Sequence, residues 1–555
     1  MKSKLLNLVV FLTILLGAFL RFYALDKSPP SLGFDEAALG YNAYSILKTG
    51  RDEYGNFLPL SLRSFNDYKP ALYAYLTIPF IKFFGLNDAS VRMTSALAGT
   101  ILLIFLYLLL KEFVKNKKWL IIFFFILSFE PWRLHFSRNA FETHLSTTLF
   151  CIGAWFLLKA KKKIKYAIGA VIFLTLSIYS YHSARVAAPL LIGFWIVDPL
   201  KLIAKKDFWQ ALKKQWSSNW PKVLVLAGLV LLSVPIFMVN NGLLLLTRFN
   251  QENVFSRFYP YAPKGMVNPI SCLYYFLGIV SGHVFSNISP INLNFRIFQW
   301  VKMSPQFIPG MGMLGWIEGI VFILGLLVVI KNIFKSEKYR FLIYWIIAGI
   351  APAAVTWTWF HPLRSLNIYP ALEIIVALGL MELIKYGNKV IKLKLLKSII
   401  GVLIGGIMLA TIVFTINNEL LYSAYENNGE YQPGGFKEGM PYLKSIQDNY
   451  SQVIIDSPHA QNFIFLFFYE ALDPTLVQKY ADIRPKPGTE GNLDFNFDKF
   501  VFRKIDWPQD KDLKKTVFWT SPYVTDAEVE RVKGAKIQLK VFNSLYHTAD
   551  IITTE

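Results

Sequence analysis

Eleven apolar segments are long enough to cross a lipid bilayer, and this repetition constrains the fold more than any other feature of the chain. A membrane-spanning helix needs roughly 17–25 predominantly apolar residues. The segments lie at 5–25, 93–114, 119–136, 143–160, 165–181, 183–200, 222–240, 313–333, 339–357, 366–385 and 397–417. Because hydrophobic residues make up 54% of the 555 residues and charged residues only 17%, the sequence predicts an α-helical polytopic membrane protein.

The basic residues between these segments predict the topology. Clusters of lysine and arginine precede the first segment and recur at 111–118, 159–165, 201–214, 331–340 and 385–394. With eleven spans, all of these clusters fall on the side of the N-terminus, which the positive-inside rule makes cytoplasmic. The net charge of +21 is therefore explained by a membrane, and we expect no nucleic-acid partner.

The residues after 420 have a different composition. Residues 421–555 carry 15 Lys and Arg against 19 Asp and Glu. Strand-like runs at 452–456, 500–503, 516–520 and 537–542 alternate there with helix-like runs at 436–447, 459–471 and 525–533. We therefore predict a transmembrane domain, 1–420, and a small extracytoplasmic α/β domain, 421–555. This second domain shows no catalytic constellation, which favours a role in packing or acceptor docking.

The first long outer loop, about 26–92, holds the most informative motifs. Asp35 and Glu36 follow a Pro29-Pro30 turn and begin a helix predicted at 35–48. The two carboxylates either cap that helix, whose N-terminus favours negative charge, or supply a general base. Lys69 lies before a helix predicted to begin at Pro70. It is either a lysine that reaches to the interface or a contact to a lipid phosphate.

Further candidates lie at the predicted outer ends of later spans. Glu142 is either a site acid or the partner of Arg138, four residues earlier. Arg185 and Arg364 each follow a histidine by three residues near the outer boundary. Since arginine can bind phosphate in a bidentate manner, these two residues together with Lys69 predict a site for an anionic headgroup.

The order of these motifs resembles a known group of enzymes. An outer Asp-Glu pair after the first span, a Lys-Pro motif and a second outer acid are similar to the GT-C membrane glycosyltransferases. The resemblance, over about residues 5–385, is closest to glycosyltransferase family 39, which includes protein O-mannosyltransferases and aminoarabinose transferases. Tyr68 departs from the aminoarabinose transferases, which often have Glu before Lys-Pro. No counterpart is evident for the β-trefoil module of eukaryotic protein mannosyltransferases, and the Trp-Trp-Asp sequence of oligosaccharyltransferases is absent.

The resemblance implies transfer of a sugar from a polyprenyl-phosphate donor outside the cytoplasmic membrane, as part of cell-envelope protein or lipid glycosylation. Asp35, Glu36 and Glu142 match acidic catalytic positions, and Lys69 matches the lysine that contacts the donor phosphate. Arg364 is a weaker match to a basic residue of the late outer loops. The acceptor would be a hydroxyl of a protein, a lipid or a polysaccharide. No cofactor is required, although a divalent cation held by Asp35 and Glu142 stays open.

Other functions fit the same composition. A transporter or flippase for lipid-linked glycans would place ionisable residues near the bilayer midplane and show an internal repeat, and neither is seen in the sequence. A non-catalytic scaffold that presents residues 421–555 would leave the outer acids without a role. The glycosyltransferase is therefore the preferred hypothesis.

Overall fold

The computed structural model gives a mostly helical membrane part followed by a region that contains a β-sheet. It describes residues 2–65, 67–205, 207, 209, 210, 213, 220–238, 253, 254, 269–294, 308, 310–358, 360–422, 435–456, 461–483, 495–520, 526–532, 534–543 and 546–555.

Helices make up most of the described chain before residue 422. They are α1 (Lys2–Phe22), α2 (Phe34–Thr49), α3 (Leu72–Phe84), α4 (Asp88–Phe113), α5 (Lys117–Leu127), α6 (Pro131–Arg138), α7 (Glu142–Ala160), α8 (Ala167–Ile178), α9 (Ala184–Val197), α10 (Pro199–Ile203), α11 (Trp220–Met238), α12 (Pro269–Ile288), α13 (Pro290–Asn294), α14 (Glu318–Asn332), α15 (Glu337–Ala354), α16 (Pro362–Ser365), α17 (Tyr369–Val390) and α18 (Lys394–Asn417).

Each of the eleven predicted apolar segments coincides with a helix or a pair of helices in the described chain. The segment 119–136 differs from prediction because it bends by 50° between α5 and α6. Glu130 precedes Pro131 and has an extended ψ of 142°, since proline disfavours helical geometry in the residue before it. The prediction of about eleven spans is not confirmed.

Fewer than eleven helices are both long and apolar enough to cross a membrane by themselves. Within the described residues there are five such helices, or six if the bent pair α5–α6 is one span. The five are Lys4–Phe22, Asp88–Phe113, Ala184–Ile203, Pro362–Val390 and Lys394–Leu421. These helices support a membrane protein and leave its exact topology as a prediction.

The first outer loop folds into α2, a β-hairpin and α3. The hairpin pairs β1 (Ser61–Ser64) with β2 (Asp67–Pro70) in antiparallel register. The sequence had predicted that Pro70 opens a helix, and this is wrong: Pro70 ends β2 and the helix begins at Leu72. Pro70 fits the edge of the hairpin because its fixed φ suits a strand end.

The C-terminal region carries a mixed sheet, as predicted for an α/β domain. Among the described residues its strand order is β4-β5-β3-β6-β8-β7. The strands are β3 (Gln452–Asp456), β4 (Phe495–Phe497), β5 (Phe500–Arg503), β6 (Thr516–Thr520), β7 (Ala535–Asn543) and β8 (Tyr546–Thr554). Its helices are α19 (Phe436–Ile446), α20 (Phe463–Tyr469), α21 (Pro474–Lys479), α22 (Trp507–Asp510) and α23 (Asp526–Glu530).

The sheet region and the first outer loop share one hydrophobic core. Buried side chains of α2, such as Tyr41, and of α3, such as Tyr73, belong to the same cluster as Phe436, Phe465 and Val517 of the sheet region. Helix α20 lies between α2 and the sheet and is the main contact of the two parts. The loop that carries Asp35 is therefore held by residues more than 400 positions later in the chain.

Candidate active site

The hairpin brings Asp67 and Lys69 to one face. Since side chains alternate along a strand, residues two apart point the same way. Lys69 pairs with Leu62 of β1, and Asp67 pairs with Ser64 at the turn. Tyr68 points to the opposite face and packs on the helical core. The hairpin thus presents a cation with a carboxylate beside it.

Lys69 joins two of the acids predicted from sequence. Its ammonium forms an ion pair with Asp35 in the first turn of α2, and its Nζ lies 3.9 Å from Oε1 of Glu142. Lys69 and Glu142 are 12% and 8% exposed, whereas Asp35 is 56% exposed. Lys69 is therefore enclosed by carboxylates rather than extended to solvent, and the cluster of Asp35, Lys69 and Glu142 has one open side at Asp35.

The carboxylates around Lys69 change its pKa. Burial by itself lowers the pKa of the ammonium, but the carboxylates of Asp35, Glu142 and Asp67 outweigh it and raise the pKa above the ordinary value. A nearby opposite charge favours the charged form of a group. Lys69 is therefore a permanent cation at neutral pH and is suited to neutralise a phosphate.

Glu36 is not brought to this cluster. Its side chain is 4% exposed and turns away from Asp35. Its oxygens accept hydrogen bonds from the backbone N–H groups of Gly33 at 2.9 Å and Ala140 at 2.7 Å. They also pair with Arg92 at 3.1 and 3.2 Å. Glu36 therefore caps α2 and ties it to α4 and to the α6–α7 connection.

Glu142 and Arg138 do not pair with each other. Arg138 donates instead to the carbonyl oxygens of Leu20, Tyr23 and Ser28, at 2.7–2.8 Å. Arg138 thus holds the chain that leaves α1, and Glu142 is left to face Lys69.

Arg92 holds the same segment from the other side. It donates to the carbonyl oxygens of Leu25, Pro29 and Ser31, and it is fully buried. Arg92 and Arg138 together fix the turn that precedes Asp35.

The two predicted basic clusters lie on elements next to Glu142. The hydroxyl of Thr143 donates to the carbonyl of Leu363 at 3.0 Å, which places α16 and its Arg364 beside the start of α7. Nε2 of His182 lies 4.0 Å from Oδ2 of Asp67, and Asp67 acts electrostatically on Arg185. Arg185 and Arg364 therefore lie on elements that flank the cluster.

The cluster and the lysine-rich loops lie at opposite ends of the same helices. The cluster lies at the N-terminal ends of α4, α7 and α9 and at the C-terminal end of α8. The basic runs 111–118 and 159–165 lie at the opposite ends of the same helices. The cluster is therefore separated from the lysine-rich loops by the length of the helices.

The cluster does not fit a divalent cation well. Among the described residues, no group of three or more His, Cys, Asp or Glu side chains is arranged to hold a metal ion. The ammonium of Lys69 lies between Asp35 and Glu142, where a shared cation would have to bind.

Some residues of the cluster were missed from sequence. Asp67 lies two residues before Lys69 on β2, and strand alternation between the two is the signal that places both side chains on one face. Arg92 is the last residue of the predicted outer loop, directly before the apolar segment 93–114, and in the structure it lies within α4, where Glu36 balances its charge. A buried arginine in an apolar segment is itself a signal of a partner.

A family model of known proteins matches part of the chain. Residues 68–238 match the family model described as dolichyl-phosphate-mannose-protein mannosyltransferase, a segment that includes Lys69, Glu142 and Arg185. No curated protein matches the chain significantly.

Solved structures match nearly the whole length. The crystal structure of ArnT from Cupriavidus metallidurans in the apo state aligns with a TM-score of 0.55 and 13% identity, covering 98% of this chain and 97% of that one. The same protein bound to undecaprenyl phosphate aligns at 0.54 with the same identity and coverage. The oligosaccharyltransferase AglB from Archaeoglobus fulgidus aligns at 0.49 with 11% identity, over 84% of this chain and 64% of that one.

The chain therefore has the ArnT-like GT-C fold, and its segment 68–238 matches a family model of the family 39 type. The class predicted from the Asp-Glu and Lys-Pro motifs is confirmed: the protein is a membrane glycosyltransferase.

Proposed function

We propose that this protein transfers a sugar from a polyprenyl-phosphate donor to an acceptor hydroxyl at the outer face of the cytoplasmic membrane. The observation that carries the proposal is the convergence of Asp35, Lys69 and Glu142, from separate parts of the chain, on one cluster. The ArnT structure with undecaprenyl phosphate supports the donor class, because it shares the fold of this chain.

The cluster can perform the transfer in one displacement. The acceptor oxygen attacks the anomeric carbon while Asp35 accepts the hydroxyl proton as general base. The bond between the anomeric carbon and the phosphate oxygen breaks, and Lys69 neutralises the departing polyprenyl phosphate. Such a single displacement inverts the anomeric centre. Arg185 and Arg364 flank the place where the phosphate would lie and add positive charge.

Asp35 can act as a base only after its ion pair with Lys69 is loosened. A donor phosphate competes with Asp35 for the ammonium, so donor binding frees the carboxylate for the acceptor. Glu142 stays beside Lys69 and keeps the ammonium oriented when Asp35 leaves it. The acceptor is a hydroxyl of a protein, a lipid or a polysaccharide, and the scheme requires no cofactor.

The direct test is transfer by the full-length protein in membranes. Undecaprenyl phosphate carrying radiolabelled mannose, glucose or aminoarabinose is supplied with a cell-envelope extract, and labelled product is separated from labelled lipid. We expect one donor to give product, an Asp35→Asn variant to give almost none and an Asp26→Asn variant to match the wild type. EDTA should leave the rate unchanged. Full activity of Asp35→Asn would show that the base is wrongly assigned.

Mass spectrometry of the cell envelope identifies the acceptor. Glycans and glycoproteins are compared between cells that carry the wild-type gene and cells that carry the Asp35→Asn gene. A sugar present only with the wild type marks the product. Movement of lipid-linked sugar across the membrane without any new glycosidic bond would favour the transporter instead.

A further inference from the structure

We infer that the C-terminal domain is a positioning part of the transferase site, and that α20 holds both sides of the cluster through two aromatic contacts. The inference rests on the proposed function and assigns a role to residues far from the motifs that define the class. Phe465 supports the Asp35 side, and Phe463 supports the Lys69 side.

Helix α20 is buried on all of its faces. Its residues Phe463 to Phe468 are at most 3% exposed. On the domain side, Phe465 stacks on Phe436 with ring centroids 4.9 Å apart, and Phe436 stacks on Trp519 of β6 at 5.0 Å. One face of the helix therefore packs on the sheet region, and the other face packs on the first outer loop.

The Asp35 side is held by Phe465. The ring of Phe34, the residue directly before Asp35, lies 5.1 Å from the ring of Phe465. Nearly two turns further along α2, Gly40 lets Phe468 approach closely, since a Cβ there would lie 2.7 Å from the Phe468 ring. The hydroxyl of Tyr41 donates to the carbonyl of Leu472 at 3.0 Å. The N-terminal half of α2 is thus fixed to the domain.

The Lys69 side is held by Phe463. Phe65 lies in the hairpin turn with a left-handed φ of 49°, which is unfavourable for a non-glycine residue unless its surroundings hold it there. Its ring lies 5.9 Å from Phe463 and 6.3 Å from Phe34. Because Lys69 is four residues further along the hairpin, Phe463 and Phe465 set the separation of the two halves of the Asp35–Lys69 pair.

The two contacts predict two different defects. Phe463→Leu should loosen the hairpin and raise the Kd for undecaprenyl phosphate by about fivefold, in line with the usual strength of an aromatic pair. Phe465→Leu should leave that Kd unchanged and lower kcat by about tenfold, because small misplacements of a reacting group are costly. The matched control is Phe518→Leu, which removes a buried ring on the other face of the sheet, against Trp507, and should change neither value.

The contact between Phe34 and Phe465 can also be removed by a substitution in the outer loop, which leaves the C-terminal domain unchanged. Phe34→Leu removes the same contact as Phe465→Leu from the loop side, so the double variant should be no slower than the slower single variant. If the two effects on kcat multiply, or if Phe518→Leu lowers kcat as much as Phe465→Leu, the domain matters only for stability and the inference is overturned.

Hydrogen exchange separates this inference from the proposed function. Backbone amides of residues 34–40 and 61–70 should exchange faster in Phe463→Leu and Phe465→Leu than in the wild type and in Phe518→Leu. This readout needs no substrate. If no donor is turned over by the wild type, the proposed function fails, while faster exchange confined to those segments still supports the positioning contacts. Unchanged exchange in both variants would overturn them.

Discussion

Asp35 and Glu36 are neighbours in the chain, yet they belong to two charge clusters that are built differently. Glu36 is buried, and its oxygens are occupied by Arg92 and by backbone N–H groups of Gly33 and Ala140. Asp35 is more than half exposed and shares Lys69 with Glu142. A buried charge with many fixed donors holds structure, whereas a cation shared among several carboxylates can exchange one of them for a substrate.

The difference also explains how one dipeptide can serve two purposes. The first turn of a helix favours acidic residues, and successive residues there point about 100° apart. One carboxylate therefore enters the core towards α4 while the next faces the hairpin. Glu36 thus caps the helix, and Asp35 is the residue to which we assign the proposed catalytic role.

The largest expected effect is on the Asp35 side of this comparison. Asp35→Asn removes the proposed general base and should lower kcat by roughly 10²–10⁴-fold. Because the side chain is exposed, the thermal unfolding temperature should stay within error of the wild type. Transfer assays and thermal unfolding of the purified protein measure the two quantities. A large loss of stability would mean that Asp35 is mainly structural.

Glu36→Gln should show the opposite pattern. Removal of one partner from a buried ion pair costs about 3–5 kcal/mol of stability, because Arg92 keeps its charge without compensation. We expect a lower unfolding temperature and, at low temperature where the protein stays folded, turnover much closer to the wild type than in Asp35→Asn. Normal stability with lost turnover would place Glu36 in the catalytic group after all.

Glu142→Gln tests whether the charge of Lys69 is shared between the carboxylates and the donor phosphate. The substitution removes a negative charge beside the proposed phosphate site, so undecaprenyl phosphate should bind roughly three- to tenfold more tightly. Equilibrium binding to the full-length protein measures the change. Glu112→Gln serves as the control, since Glu112 pairs with Lys159 and Lys338 at the other end of the bundle. Weaker binding in Glu142→Gln would contradict the electrostatic argument.

The smallest expected effect concerns pH. The pKa of Lys69 is raised above its ordinary value of 10.5, so its stabilising interactions are fully present below that value and are lost only as the pH rises through the higher folded value. The Kd for undecaprenyl phosphate should therefore be constant from pH 7.5 to 9.5, and Lys69→Met should weaken binding equally across this range. A decrease in affinity of the wild type within this window would show that Lys69 titrates there.

Much of the fold could be predicted because apolar runs and strand-like runs are local signals. The helices α1, α4 and α9 and the strands β3, β5 and β6 lie where the sequence placed them. The hairpin, β4 and β8 were not predicted. Strands of four residues such as β1 and β2 carry little periodicity, and β8 contains Asp550 in a buried position, where His547 pairs with it at 2.8 Å.

Candidate residues of the site could be named from sequence, but their grouping could not. Asp35, Lys69 and Glu142 were each open to a structural interpretation until the ion pairs joined them. The roles of Arg92 and Arg138 depend on backbone carbonyl groups of the α1–α2 connection, and no side-chain pattern reveals such contacts. In the sequence, the aromatic residues of α20 are typical of any buried helix. Their contact with the first outer loop is not visible there, because that loop is remote in sequence.

That remoteness has a consequence for the order of synthesis. Tyr41 and its hydrogen-bond partner Leu472 are separated by 431 residues. At about 5–20 residues per second, a ribosome needs roughly 20–90 s to make that stretch. During this interval the aromatic side chains of the first outer loop are not yet covered by the sheet region. The newly made chain is then accessible to chaperones and proteases. The first outer loop therefore reaches its final packing only when the sheet region has emerged and docked.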